Sequence, residues 1–111
     1  MESGDYKVSP QFKNLSAGEF KKKLSESSDG VLLDVRTQLE FQNGSIPGAL
    51  NIDVLELSFR EEAAQLEKDK TYFVYYRSGG RSSQARAIMT ELGFNVYNLS
   101  GGISNWTGNI R

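Results

Sequence analysis

Thr71-Tyr-Phe-Val-Tyr-Tyr-Arg-Ser-Gly-Gly-Arg-Ser-Ser-Gln-Ala85 is the segment whose reading decides the fold. Residues Tyr72 to Tyr76 are aromatic or β-branched, which suits a strand. Arg77 to Arg81 hold two adjacent glycines, Gly79 and Gly80, whose tolerance of φ > 0 points to a tight turn. From Ser82 onward, Ala85, Ile88, Met89 and Leu92 recur at helical spacing and mark the buried stripe of a helix. A strand, a glycine loop and a helix in succession place backbone N–H groups at a helix N-terminus. Such a terminus attracts anions, and Arg77 and Arg81 add positive charge to it.

Working outward, Val31-Leu-Leu-Asp-Val35 reads as a strand covered on both faces and interrupted by one carboxylate. Ser16-Ala-Gly-Glu19, Thr37-Gln-Leu-Glu40 and Ser58-Phe-Arg-Glu61 each fit a capping box opening a helix. Phe20 and Leu24 mark the inner face of the first helix, with a turn-rich break from Ser25 to Gly30. Its lysines, Lys21 to Lys23, read as a solvated face rather than a binding patch. Short strands are expected at Phe12–Leu15, Ala49–Ile52 and Asn95–Leu99. Gly101-Gly102 reads as a turn, and Ile103 with Trp106 as a final short helix. Alternating strands and helices call for a mostly parallel sheet with helices on both faces. Ligands of such sheets bind beyond the carboxyl ends of the strands, where Arg77–Arg81 lies.

The 111 residues suit one domain, expected over residues 12–111 after a polar lead-in at 1–11. Apolar content of 38%, with six Phe, five Tyr and one Trp, is enough for a compact core. A net charge of −1 gives no global field toward nucleic acid or anionic lipid, so neither is expected as a partner. No apolar run approaches the roughly 20 residues that span a bilayer, and Met1-Glu-Ser-Gly-Asp5 is not a secretory signal. A cytoplasmic location is therefore expected. The chain has neither cysteine nor histidine. That removes disulfides, thiolate nucleophiles, persulfides, the usual zinc ligands and any Ser-His-Asp arrangement. No metal and no cofactor is expected.

Three motifs together resemble the rhodanese-like domain family. Asp34-Val35-Arg36, Glu40-Phe41, Gly44 and Ile46-Pro47-Gly48-Ala49 are similar to the family's D-V-R, E-[FY] and G-H-I-P-G-A. Tyr76-Arg77-Ser78-Gly79-Gly80-Arg81-Ser82 is similar to C-R-S-G-x-R-S. Gly93-Phe94 through Gly101-Gly102-Ile103 and Trp106 is similar to G-[FY]-x-x-V-x-x-L-x-G-G-[IM]-x-x-W. The resemblance covers about Phe12 to Trp106. It implies a three-layer α/β fold with a mostly parallel sheet of about five strands. It also implies descent from sulfurtransferases, which pass a sulfane sulfur from a donor such as thiosulfate onto a loop cysteine and then to a thiophile. The loop length, Tyr76 through Arg81, resembles the sulfur-transfer loop; related phosphatases carry a loop one residue longer.

Two positions depart from the family pattern. Tyr76 stands at the nucleophile position, and Ser45 where the family often has histidine. A phenol is far less ionised than a thiol at neutral pH, and a phenolic oxygen cannot carry a persulfide. Met89 is no substitute, since a thioether supplies no thiolate. The expected site is an anion-binding loop of Tyr76, Arg77, Ser78, Gly79, Gly80, Arg81 and Ser82, supported by Asp34 and Arg36. Asp34 is expected to be a structural partner of Arg36 or of the loop N–H groups rather than a catalytic carboxylate, since a buried charge needs a partner; Arg36 serves either that pairing or a binding rim. Arg77 is expected to point outward, and Arg81 either to contact an anion or to tie the loop to a neighbour. Gly79 and Gly80 are expected to be there for positive φ. The Tyr76 ring either closes the loop or swings out of it.

The resulting expectation is a non-catalytic module that binds a thiosulfate- or sulfate-like anion, an acidic group or a partner protein at the loop. The alternative is a thiosulfate or persulfide sulfurtransferase whose cysteine is substituted here or comes from a partner. Oligomeric state is open.

Overall fold

A computed structural model describes residues 14–111. The expected lead-in and the start of the first strand at Phe12 lie outside the described residues. In chain order the elements are β1 (Asn14–Leu15), α1 (Ala17–Glu26), β2 (Gly30–Asp34), α2 (Gln38–Gln42) and β3 (Leu50–Asn51). There follow α3 (Phe59–Ala64), β4 (Thr71–Tyr75), α4 (Gly79–Glu91), β5 (Asn95–Leu99) and a 3₁₀ turn (Gly102–Asn105). The strands form one parallel sheet in the order β1-β5-β4-β2-β3. β4 is its centre, in register Leu33 to Val74 and Asp34 to Tyr75 on one side and Tyr72 to Val96 on the other.

Period-two alternation divides the core between the two faces of the sheet. Leu33, Val35, Tyr72, Val74, Tyr76 and Val96 point toward α3 and α4, where they meet Phe59, Ala63, Ala85 and Met89. Leu32, Phe73, Tyr75 and Leu99 point the other way, toward Phe20 of α1 and Ile46. Phe20 stands edge-on to Phe73 at 5.5 Å and to Trp106 at 6.3 Å. Trp106 therefore packs on the body, immediately after the 3₁₀ turn.

Local chemistry explains the helix boundaries, with two corrections. Ser16 and Thr37 both sit in extended backbone, and each completes a reciprocal capping box with Glu19 or Glu40. Ser58 does not: its backbone is not extended, it makes no side-chain cap, and its hydroxyl donates to Glu62 instead. The second correction concerns the glycine loop. The helix starts at Gly79 rather than Ser82, so both glycines lie in its first turn. Gly80 has no positive φ and meets nothing within 4 Å of where a Cβ would stand. The expected break from Ser25 is also shortened, because α1 continues through Glu26.

One glycine that the geometry does demand beside the loop is Gly102. Its φ is +69°, and a Cβ there would lie 2.4 Å from the Arg77 carbonyl oxygen and 2.5 Å from that of Tyr76. The same turn holds both carbonyls, through Ile103 N–H to Tyr76 O at 2.8 Å and Ser104 Oγ to Arg77 O at 3.3 Å. The third sequence motif thus braces the second. Gly102→Ala should destabilise the fold by about 2 kcal/mol or more, combining backbone strain with a clash that neither chain segment relieves easily. Urea denaturation checks this, with Gly80→Ala as the permissive comparison.

Candidate functional site

The candidate site lies at the carboxyl ends of β2 and β4. Asp34 ends β2 in register with Tyr75 and is fully buried. Its charge is balanced by Arg36, itself 6% exposed. The guanidinium grips the carboxylate with Nη2 to Oδ2 at 2.6 Å and Nε to both oxygens at 3.0 Å, while the Arg36 amide donates to Oδ1 at 2.8 Å. Nη2 also donates to the Gly44 carbonyl at 2.6 Å, tying α2's far end to the strand. Asn51 Nδ2 bridges the Asp34 and Arg36 carbonyls at 2.9 and 3.0 Å. Burial works against the Arg36 charge, but the hydrogen bonds and attraction of Asp34 outweigh it and hold the group above its ordinary pKa.

Tyr75 completes this support. Its ring lies 5.7 Å from the Arg36 guanidinium carbon, and its oxygen accepts the Ile46 N–H at 3.1 Å. Burial raises its pKa. Ser45, at the position where histidine was noted as frequent, is buried and exchanges backbone hydrogen bonds with Arg111 in both directions, at 3.3 and 2.7 Å.

The loop itself begins with Tyr76, and the ring turns inward. It is 4% exposed and belongs to the cluster beneath α3 and α4. The ring is thus packed into the core from the position where the resemblance places the family's cysteine. Arg77 is exposed, as expected, yet it has partners: its Nε lies 3.3 Å from Glu40 Oε2 and its guanidinium 5.5 Å from the Tyr76 ring. The other oxygen of Glu40 accepts the Thr37 N–H of the capping box. At 66% side-chain exposure this pair contributes about 1 kcal/mol at most. Arg81 is exposed and donates to Gln84 of its own helix at 3.3 Å. It ties the loop to no neighbouring element among the described contacts.

Ser78 is the N-cap of α4 but offers no side-chain cap, and the first turn carries no acidic residue. Ser82 is buried on the inner side. The structure therefore gathers Tyr76 to Ser82 at one strand–helix junction, with Asp34 and Arg36 as the frame of the neighbouring strand. Sequence reasoning missed Glu40 and Tyr75 as members of this frame. In the sequence Glu40 reads as a capping residue and as part of the E-[FY] resemblance, and Tyr75 as strand packing.

A parallel α/β domain with a glycine loop between its central strand and the following helix is the class that fold and site define. The chain belongs to the rhodanese-like domain family, whose model matches residues 16–109. The Bacillus subtilis protein YtwF is 33% identical over 101 residues, covering 91% of this chain and 96% of that protein. A sulfurtransferase of Allochromatium vinosum is 38% identical over 85 residues, covering 76% and 78%. The crystal structure of a rhodanese-related protein from Thermoplasma volcanium superposes with a TM-score of 0.77 at 30% identity, covering 88% of this chain and 96% of that one. This chain is a family member without any cysteine, and hence without the nucleophile of sulfur transfer. Among the described residues no helix is long and apolar enough to cross a membrane.

Two predictions follow from the frame. Arg36→Met leaves a buried carboxylate unpaired and should cost about 3–5 kcal/mol, whereas Asp34→Asn added to it should recover part of that loss; urea titration of the single and double variants measures both. The folded state keeps Tyr75 neutral to higher pH than the unfolded chain does. Its contribution is therefore intact below about pH 10 and is lost as pH rises further. Stability measured from pH 8 to 11 should fall less steeply in Tyr75→Phe than in the parent protein.

Proposed function

We propose that this domain is a non-catalytic binding module, which takes a sulfate-like anion or an acidic group of a partner on the outer side of the Arg77–Arg81 loop. The observation that carries this reading is Gly80. Neither backbone conformation nor lack of space requires glycine there. Glycine in a helix is less favourable than alanine by about 0.5–1 kcal/mol, so its presence calls for a compensating use. Leaving the start of a 13-residue helix uncovered and uncapped is such a use. The inward, buried Tyr76 ring leaves the outer side of the loop, with Arg77 and Arg81, as the exposed face for a ligand.

Sulfate, phosphate and thiosulfate should raise the melting temperature. Arg81→Ala should reduce that rise, and Gly80→Ala should reduce it while raising the stability of the ligand-free protein. An unchanged response in both variants would remove the loop from the binding site.

The second reading, sulfur transfer with a cysteine from elsewhere, draws on the sulfurtransferase relatives and the retained loop length. Thiosulfate:cyanide assays separate the two. The protein should show no turnover above a loop-deleted control, and clear turnover would sink the binding-only reading. Tyr76→Cys should gain activity if only the nucleophile is missing. It should also lose about 3 kcal/mol of stability, because removing the buried ring leaves a cavity.

A further inference from the structure

Apart from the loop, a cavity lies where the end of α2 meets the segment from Gly44 to Ala49. It measures about 450 Å³ and is lined by Phe41, Gln42, Ser45, Gly48, Ala49 and Arg111. That volume falls within the range of small-molecule sites. Arg111 is the one charged residue of the lining. Arg36, Arg60 and Arg77 each hold a carboxylate, whereas Arg111 makes no ion pair among the described residues. Arg81 and Arg86 share that trait; what matters at Arg111 is its place in a wall that carries no acidic residue.

Two side chains of this wall are not accounted for by the fold. Ser45 is only 8% exposed, yet its hydroxyl makes no hydrogen bond among the described residues. A hydroxyl withdrawn from water without a partner is costly, and a ligand in the cavity would supply that partner. Phe41 is half-buried but belongs to neither core cluster, whereas Phe20, Phe59, Phe73 and Phe94 all do. The backbone around both is fixed in advance. Ser45 N–H donates to Arg111 O at 3.3 Å, Arg111 N–H donates to Ser45 O at 2.7 Å, and Arg36 Nη2 holds the Gly44 carbonyl at 2.6 Å. A wall held in this way costs little to order when something binds.

We propose that this cavity binds a small organic acid, a carboxylate carried on a flat apolar body. A guanidinium is planar and matches a carboxylate with two parallel donors, so Arg111 would hold the charged end. The Ser45 hydroxyl would donate to one of the same oxygens. Phe41 would stack on the apolar body and Ala49 would cover its edge. Gln42, exposed at the rim, adds an amide donor. An inorganic anion would use the charge of Arg111 but leave the apolar part of the wall uncovered. The inference goes beyond the loop reading and stands without it.

Benzoate and its neutral isostere benzamide test it, titrated at constant ionic strength into the nitrogen-15-labelled protein. Benzoate should shift the amides of Phe41, Gln42, Ser45, Gly48 and Ala49 along a saturable curve, and benzamide should bind about ten-fold more weakly or not at all. Benzoate affinity should fall about five-fold or more in Arg111→Gln and in Ser45→Ala. Both substitutions keep the backbone bonds between residues 45 and 111, and Ser45→Ala should not lower the melting temperature, because the hydroxyl it removes has no partner to lose. No shift at these amides, equal shifts by both compounds, shifts confined to residues 77–82, or an affinity unchanged in Arg111→Gln would overturn the proposal. The sulfate-induced rise in melting temperature should persist in Arg111→Gln, so failure of one reading is distinguishable from failure of the other.

Discussion

The buried pair of Asp34 and Arg36 is the constraint on which the site end of this molecule depends. A carboxylate without solvent at the end of β2 is tolerable only because a guanidinium grips it in the plane and a backbone amide completes its shell. The same guanidinium reaches the Gly44 carbonyl, and Asn51 closes the opposite side. The end of β2, the segment after α2 and the end of β3 are thus joined at Asp34 and Arg36. Its partner strand, β4, carries Tyr75 beside it in register and Tyr76 one residue on. The position of the loop is thus set by the frame before any loop residue contributes.

Much of this was legible in the chain, because it depends on local chemistry or on alternation. The strand–loop–helix reading of Thr71–Ala85, the sheet class and two capping boxes rest on periods and on side chains that bond their own backbone. That Asp34 needs a partner was legible because a charge inside an apolar strand must be balanced, but the choice of Arg36 over the loop N–H groups was settled only by the fold. What was not legible has a common cause. The box at Ser58 fails because its backbone is not extended, and a sequence pattern does not report ψ. Gly79 and Gly80 suggested a turn, because glycine is disfavoured inside a helix and the sequence alone does not show that the helix begins at Gly79. Gly102 meets the loop carbonyls from a distant part of the chain, as Glu40 meets Arg77. Such approaches exist only after the sheet has assembled.

Tyr76 illustrates how a chemical position becomes a packing position. Alternation from Tyr72 and Val74 carries it to the α3–α4 face, where a small thiol would leave room above the core. The phenol ring is buried there. The core gains apolar contact at the point where the relatives named as sulfurtransferases would perform chemistry, and Arg77 lies across the ring. Loss of the nucleophile and closure of the inner space are therefore one substitution rather than two.

The total absence of cysteine has a consequence for the timing of any event at this face. A covalent sulfur carrier remembers its encounter: once loaded, it stays loaded until an acceptor arrives. Nothing in this chain can store such a record. A ligand held by the loop would leave without passing sulfane sulfur to or from this chain, which has no thiolate to carry it. Occupancy would follow concentration and ionic strength continuously in both directions, and oxidants that would silence a thiol have no sulfhydryl here to modify.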